Sequence, residues 1–286
     1  MSDFVYLNGK YPPAIEAQVS ILDRGFMFGD GVYEVIPVYS GKAFALEEHL
    51  ERLQQSLDAV EIKNPFALAD WQGIIQHLIE INTGAQDAAI YLQITRGVME
   101  KRDHVYSREM TPTVLVMCRP VEFPSQDKNT RGVKAITQED NRWGDCHIKS
   151  INLLPNVLLK QYAVDQKAAE SILIRNGYVI EGSVSNLFIV KNDTIRTPPK
   201  GRNMLGGITR DLIIKICAKN KIVAQEKLIS EDDLHDADEV WLTSSTKEIV
   251  PVTTLNQHKV GGGVPGPKWH QLIDLYQAYK QSVMRG

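Results

Sequence analysis

Asn176-Gly177 stands between two apolar arms, Ser171–Arg175 and Tyr178–Glu181, and no other stretch limits the fold as strongly. A two-residue hairpin turn needs positive φ at both central positions, which Asn and Gly tolerate, so the arms are predicted to pair antiparallel. Further strands are expected on the same side of the chain at Val133–Thr137, Cys146–Ser150, Leu187–Val190 and Glu239–Thr243. Helices are expected over Leu154 to Lys167, from near Thr209, and at the end after the Gly/Pro loop Gly261–Pro267, which reads as a surface loop. Ser230 followed by Glu231, Asp232 and Asp233 reads as a helix cap with an acidic first turn.

The first half has a different grain. Phe4–Leu7 is a short strand broken by Asn8-Gly9, and Val32–Tyr39 is a longer one rich in β-branched and aromatic residues. Leu46, Leu50, Leu53, Leu57 and Val60 recur at helical spacing, and a second helix is expected from Leu68 to Asn82. Ala88–Arg96 alternates as a half-buried strand does, with Thr113–Cys118 as its neighbour. The composition turns to Pro, Ser, Asp and Asn between Arg119 and Gly132. The expected organisation is a small N-terminal domain over residues 1–120, a linker over 121–131 and a larger domain over 132–286.

A net charge of -3 gives no electrostatic reason to expect nucleic acid or an anionic membrane as partner. Cys118, Cys146 and Cys217 are far apart and form no C-x-x-C pair, which argues against a disulfide framework or a zinc site. MSDFVYLNGK lacks the order of a signal peptide, and no apolar run approaches membrane-spanning length, so a soluble cytoplasmic enzyme is expected.

Three segments are polar where a plain core would not be. In Cys146-His147-Ile148-Lys149-Ser150 the lysine reads either as a solvated strand end or as a buried amine able to condense with an aldehyde. Glu181-Gly182-Ser183-Val184-Ser185-Asn186 reads either as a bonded turn or as a carboxylate and hydroxyls offered to a ligand. Leu205-Gly206-Gly207-Ile208-Thr209-Arg210 runs glycines into a helix start, whose free N–H groups make a phosphate cradle or an ordinary cap.

Taken together and in this order, these segments resemble the class IV (fold-type IV) pyridoxal-phosphate-dependent aminotransferase family. The resemblance takes in Asp23-Arg24-Gly25-Phe26-Met27-Phe28-Gly29-Asp30-Gly31-Val32-Tyr33-Glu34 near the front and Thr243-Ser244-Ser245-Thr246-Lys247-Glu248-Ile249 near the end. It implies an α+β two-domain fold: a small α/β N-terminal domain and a larger C-terminal domain with a β-barrel-like core, the cofactor at the domain interface. It implies pyridoxal 5'-phosphate as cofactor, Lys149 as the Schiff-base lysine and proton shuttle, and Glu181 facing the pyridine nitrogen. Arg52, Ile208, Thr209 and Ser245 would hold the phosphate, Ser183 and Ser185 would support Glu181 or the cofactor's ring face, and Leu205 and Ser244 would lie around the cofactor. Ser245 stands where relatives often carry Thr, and Val184 interrupts a serine pair. Without the family pattern, Arg52 would read as an exposed residue beside the Leu50/Leu53 stripe.

Gly31-Val32-Tyr33-Glu34-Val35 and Arg102-Asp103-His104 resemble the D-amino-acid aminotransferases within that family. There Tyr33, Arg102 and His104 would trap the substrate α-carboxylate, the last two reaching in from the second subunit of a homodimer. The Gly97–Arg102 loop is about one residue longer than in those relatives. The implied reaction is D-alanine plus 2-oxoglutarate giving pyruvate plus D-glutamate, with ping-pong kinetics. Branched-chain L-amino-acid aminotransferases, R-selective amine transaminases and aminodeoxychorismate lyase are the alternatives on the same scaffold. A non-catalytic cofactor-binding protein is the alternative outside it.

Overall fold

A computed structural model describes residues 3–123 and 131–284, so 124–130, most of the expected linker, lie outside the described residues. The chain divides into two compact units, Met1–Glu122 with Ile148–Leu153, and Phe123–His147 with Leu154–Gly286.

The first unit is one antiparallel sheet with helices against it. Its strands are β1 (Val5–Leu7), β2 (Gly31–Tyr39), β3 (Lys42–Ala43), β4 (Ala88–Thr95) and β5 (Thr113–Pro120), in the order β1-β5-β4-β2-β3. Strand alternation puts Val32, Ile36, Ile90, Leu92, Val114 and Val116 on one face. Helices α2 (Leu46–Ala59) and α3 (Leu68–Asn82) lay Leu50, Leu53, Leu57, Trp71, Ile75 and Leu78 onto the same core. Burying a side chain such as Leu53 or Leu57 stabilises the fold by about 1.5–3 kcal/mol each. A short helix, α1 (Arg24–Phe28), lies within the Asp23–Glu34 motif, a stretch for which no helix is expected from the sequence. The Asp23 side chain accepts from the Gly25 N–H at its start, and Gly29 at φ 67° ends it.

The second unit is a larger mixed sheet. It contains β6 (Val133–Glu139), β7 (Glu170–Arg175), β8 (Tyr178–Gly182), β9 (Asn186–Lys191), β10 (Thr194–Thr197), β11 (Ala224–Glu226), β12 (Glu239–Ser244), β13 (Glu248–Leu255) and β14 (His258–Lys259). The order is β11-β10-β9-β12-β13-β6-β7-β8, with β14 against β13. Ala135, Ile172, Ile174, Val179, Leu187, Ile189, Val240, Leu242 and Val252 form one cluster. Strands from β8 at one edge to β9 near the other share it, so the sheet curls around its own core as a barrel does. Helices α4 (Leu154–Asp165), α5 (Ile208–Lys219), α6 (Glu231–His235) and α7 (Pro267–Met284) complete the unit. The Asn176-Gly177 hairpin is present, with φ 53° and 78° at its two turn residues. No helix among the described residues is long and apolar enough to cross a membrane.

Cys146–Ser150 is not a strand. Cys146 and His147 form a turn, the Cys146 thiol donating to the Trp143 carbonyl at 3.2 Å, and Ser150 alone pairs, by an isolated bridge to Val32.

Candidate active site

On β2, alternation sends Glu34 into the core between Val32 and Ile36, where it is wholly buried. His49 and Arg52 lie three apart on one face of α2 and converge on it. Arg52 Nε donates to Glu34 Oε1 at 2.7 Å and Nη2 to Oε2 at 2.8 Å, with His49 Nδ1 also 2.8 Å from Oε2. Burial alone would raise the Glu34 carboxyl, but the Arg52 fork and His49 overcome it and hold it well below the usual carboxylate range. Burial pushes His49 down, toward the neutral ring. Arg52 is thus a buried, oriented guanidinium rather than a surface residue.

Tyr33 points to the other face. Its backbone N–H donates to the Lys149 carbonyl at 2.9 Å, and the Lys149 N–H donates to Ser56 Oγ at 3.2 Å. Lys149 is half-buried, and its Nζ lies 4.1 Å from the Tyr33 ring centroid. The structure therefore brings the expected amine and the expected carboxylate-binding phenol together. Arg102 and His104 are exposed and gather on a third ring: the Arg102 guanidinium lies 4.8 Å and the His104 ring 5.4 Å from the centre of Phe28.

In the second unit Glu181 is the last residue but one of β8 and is buried. Its Oε1 accepts from Arg142 Nη1 at 2.6 Å, and Oε2 accepts from the Leu205 N–H at 3.1 Å and from Asn186 Nδ2 at 3.2 Å. Arg142 also holds Asp140, through Nε at 2.8 Å and Nη2 at 3.1 Å, and Asp140 in turn takes Arg175 Nη2 at 3.0 Å. Burial pushes Glu181 up to about 7, against the pull of Arg142, whose charge is shared with Asp140. Arg142, Asp140 and Asn186 escaped sequence reasoning as site residues. Only Asn186, inside the quoted E-G-S-x-S-N run, carried a local signal.

Ser183 and Ser185 both donate to buried Glu170, Ser185 Oγ to its Oε2 at 3.1 Å, and not to Glu181. Helix α5 begins at Ile208 after Gly207, with no side-chain cap, so its first N–H groups are offered outward. A Cβ on Gly207 would meet Asn186 Oδ1 at 1.9 Å, so only glycine lets the helix start pass this close to the Glu181 network. Thr209 is buried and hydrogen-bonded to Tyr276, whose phenol burial drives far up. At the end of β12 the hydroxyl of Thr243, opposite Asn186 in register, is buried without a hydrogen-bond partner. Ser244 and Ser245 follow, half-buried. His147 lies on the surface turn, its Nδ1 3.3 Å from the Arg202 carbonyl.

Residues 31–255 match the family model described as amino-transferase class IV. The chain is 42% identical over 263 residues to a D-alanine aminotransferase of Bacillus licheniformis, covering 92% of each chain. Its structure is similar to that of the branched-chain amino acid aminotransferase of Escherichia coli, with a TM-score of 0.90 and 26% identity over 97% of this chain and 94% of the other. It is also similar to a hypothetical aminotransferase from Mycobacterium tuberculosis in its PLP-bound form, with a TM-score of 0.83 and 25% identity over 96% of this chain and 98% of the other. With the family model spanning residues 31–255, this chain belongs to the class IV aminotransferase family.

Proposed function

We propose that this aminotransferase moves amino groups between D-amino acids and 2-oxo acids, with D-alanine and 2-oxoglutarate giving pyruvate and D-glutamate. The observation that carries the reading is Tyr33 beside Lys149, the ring centroid 4.1 Å from Nζ, on a chain 42% identical to a D-alanine aminotransferase. A phenol at the amine gives a substrate carboxylate a hydrogen-bond donor there, and Arg102 with His104 supplies the two-pronged grip. In a site whose lysine works from one fixed side, the pocket that takes the carboxylate decides the hand of the substrate.

The residues fit pyridoxal 5'-phosphate. A carboxylate offers about four lone-pair sites, and Glu181 uses three, leaving one for a ring N–H. The uncapped start of α5 and the orphaned Thr243 hydroxyl suit a phosphate, and Arg52 and Ser245 would join them. The bound cofactor supplies an aldehyde and an electron sink. Lys149 would hold it covalently and carry the proton at the substrate Cα, and Glu181, fixed by Arg142, would keep the ring nitrogen protonated.

A homodimer is part of the same reading. Leu154, Val157, Leu158 and Tyr162 form an exposed stripe on α4, with Leu154 66% exposed. In the first unit Ile15, Ile21 and Phe26 are 88%, 76% and 75% exposed. In this reading a second copy would cover these apolar residues. Three free cysteines suit the cytoplasm as its location.

Stopped-flow spectra with D-alanine and with L-leucine test the substrate class. D-Alanine should bleach the visible cofactor band within one turnover and L-leucine should leave it; the reverse result would assign a branched-chain L-aminotransferase. Lys149→Ala should lose both the band and turnover with D-alanine.

A further inference from the structure

Asp30 is the carboxylate on which two buried arginines converge. Arg24 Nε donates to Oδ2 at 2.8 Å, and Arg96 donates from Nε to Oδ2 at 2.9 Å and from Nη2 to Oδ1 at 3.0 Å. Burial acts to raise the Asp30 carboxyl, but the two guanidiniums overcome it and hold the group below its ordinary range. Each arginine also donates to two backbone carbonyls, and Arg24 Nη1 reaches the Met99 sulfur at 3.8 Å as well. Arg96 Nη1 reaches the Glu61 carbonyl at 3.1 Å and Nη2 the Val60 carbonyl at 2.7 Å, where α2 ends, and its guanidinium lies 3.6 Å over the Tyr106 ring.

Arg24 turns the other way. Its Nη1 donates to the Asp103 carbonyl at 2.6 Å and its Nη2 to the His104 carbonyl at 3.1 Å. Its own backbone N–H donates to the Gly97 carbonyl at 2.9 Å. Gly97, at φ +100°, closes the neck of the loop, since a Cβ there would meet the Thr111 carbonyl oxygen at 2.0 Å. The loop between Gly97 and Thr111 is thus clipped at its base and held at its middle, by one residue each time. Arg102 directly precedes the held carbonyls and His104 carries one of them, and both side chains rest on Phe28 of α1, the helix that Arg24 begins. Asp30, at the other end of the clamp, directly precedes β2, which carries Tyr33.

We propose that Arg24 is a positioning residue for substrate selection: by gripping the Asp103 and His104 carbonyls while anchored on Asp30, it presets Arg102 and His104 for the substrate α-carboxylate. The inference rests on the reading of Arg102 and His104 as carboxylate ligands. Arginine is required because one planar fork serves a carboxylate and two carbonyls at once; a lysine has one point charge and holds only part of this set. Preorganised ligands bind more tightly because the loop is not ordered at the moment of binding.

The test is Arg24→Lys in the cofactor-loaded enzyme, followed by amide hydrogen exchange and by kinetics with D-alanine. Exchange should quicken across residues 98–109 and stay unchanged in β2 and β4. KM for D-alanine should rise about tenfold with kcat within about twofold, as expected when binding is lost equally in the ground and transition states. Cofactor retention should not move. Unchanged exchange in the loop would overturn the clamp, and quickened exchange with an unchanged KM would overturn its link to substrate. A joint fall in kcat and cofactor retention would mark a merely structural residue and also overturn it. Arg102→Ala separates the underlying reading: an unchanged KM there removes the carboxylate trap, whatever the exchange of the Arg24→Lys loop. Should Arg24→Lys not fold, Phe28→Leu keeps the Asp30 node and removes the ring beneath Arg102 and His104. KM should again rise with kcat held, and an unchanged KM overturns the proposal.

Discussion

Arg142 and Glu181 meet at 2.6 Å, and the same guanidinium grips Asp140 with its other two nitrogens. Arg142 is thus the hinge of a chain of charges running Glu181, Arg142, Asp140, Arg175, the first three of them buried. With Glu181 ionised such a chain is neutral overall, and removing one member leaves a charge without its partner.

Arg142→Gln should therefore destabilise the protein by about 3 kcal/mol. It should also lower kcat/KM for D-alanine at least about tenfold, because Glu181 loses its ionising neighbour. Arg142→Lys should recover part of the charge and little of the geometry. Urea denaturation with parallel assays checks this, and a midpoint equal to that of the parent protein would count against the charge chain.

Glu181 also sets a pH dependence in the cofactor-free protein. Burial raises it to about 7 from an ordinary 4.5. Between those values the folded state binds a proton that the unfolded state has released, so the stability it contributes is full below the lower value and lost as pH rises through the upper. The change from this group is about 3 kcal/mol. Urea midpoints at pH 5 and pH 8 should differ in that sense, and Glu181→Gln should flatten the difference. A Glu181→Gln protein with an unaltered slope would assign the effect elsewhere.

Thr243→Val removes the orphaned buried hydroxyl while keeping the shape. The cofactor-free protein should be as stable as the parent, or up to about 1 kcal/mol more so, because no hydrogen bond is lost. If the hydroxyl meets the phosphate, cofactor should leave faster by about fivefold to tenfold. Thermal melts without cofactor and dissociation rates with it give the two readings separately. Equal dissociation rates would detach Thr243 from the phosphate.

Gly207→Ala puts a methyl into Asn186 Oδ1, which must move. Overpacking costs about 1–3 kcal/mol. Asn186 would be pushed off Glu181 and the Leu205 carbonyl, so cofactor affinity should fall together with thermal stability. Gly206→Ala, whose Cβ would meet only the far end of Lys200, is the control and should be nearly silent.

Local chemistry was legible where one turn or one face decides it. The Asn176-Gly177 hairpin and the α2 stripe follow from φ preferences and 3.6-residue spacing, and both are present. Cys146–Ser150 was misread because β-compatible side chains do not supply a pairing partner; only Ser150 finds one. Helix α1 was missed because a five-residue helix has too few turns to show a period. Glu34 offered a signal, a charge at the buried parity of Val32 and Ile36, and its pairing with Arg52 explains why an arginine beside a leucine stripe turns inward. Arg142 offered none, since its partner lies across an irregular segment and no periodicity links the two. Family motifs, not spacing, singled out Lys149.

The segment Ile148–Leu153 is grouped with the first unit although the chain on both sides belongs to the second. The two units therefore cannot be separated by a single cut. A fragment beginning after residue 123 would carry Lys149 but not Gly31 and Tyr33, whose backbones hydrogen-bond to its segment. A fragment ending there would keep the strand and lose the lysine. Gene fusions or shuffling at one junction would split the reactive amine from its support, so recombination in this fold is confined to exchanges that keep residues 31–153 in one piece.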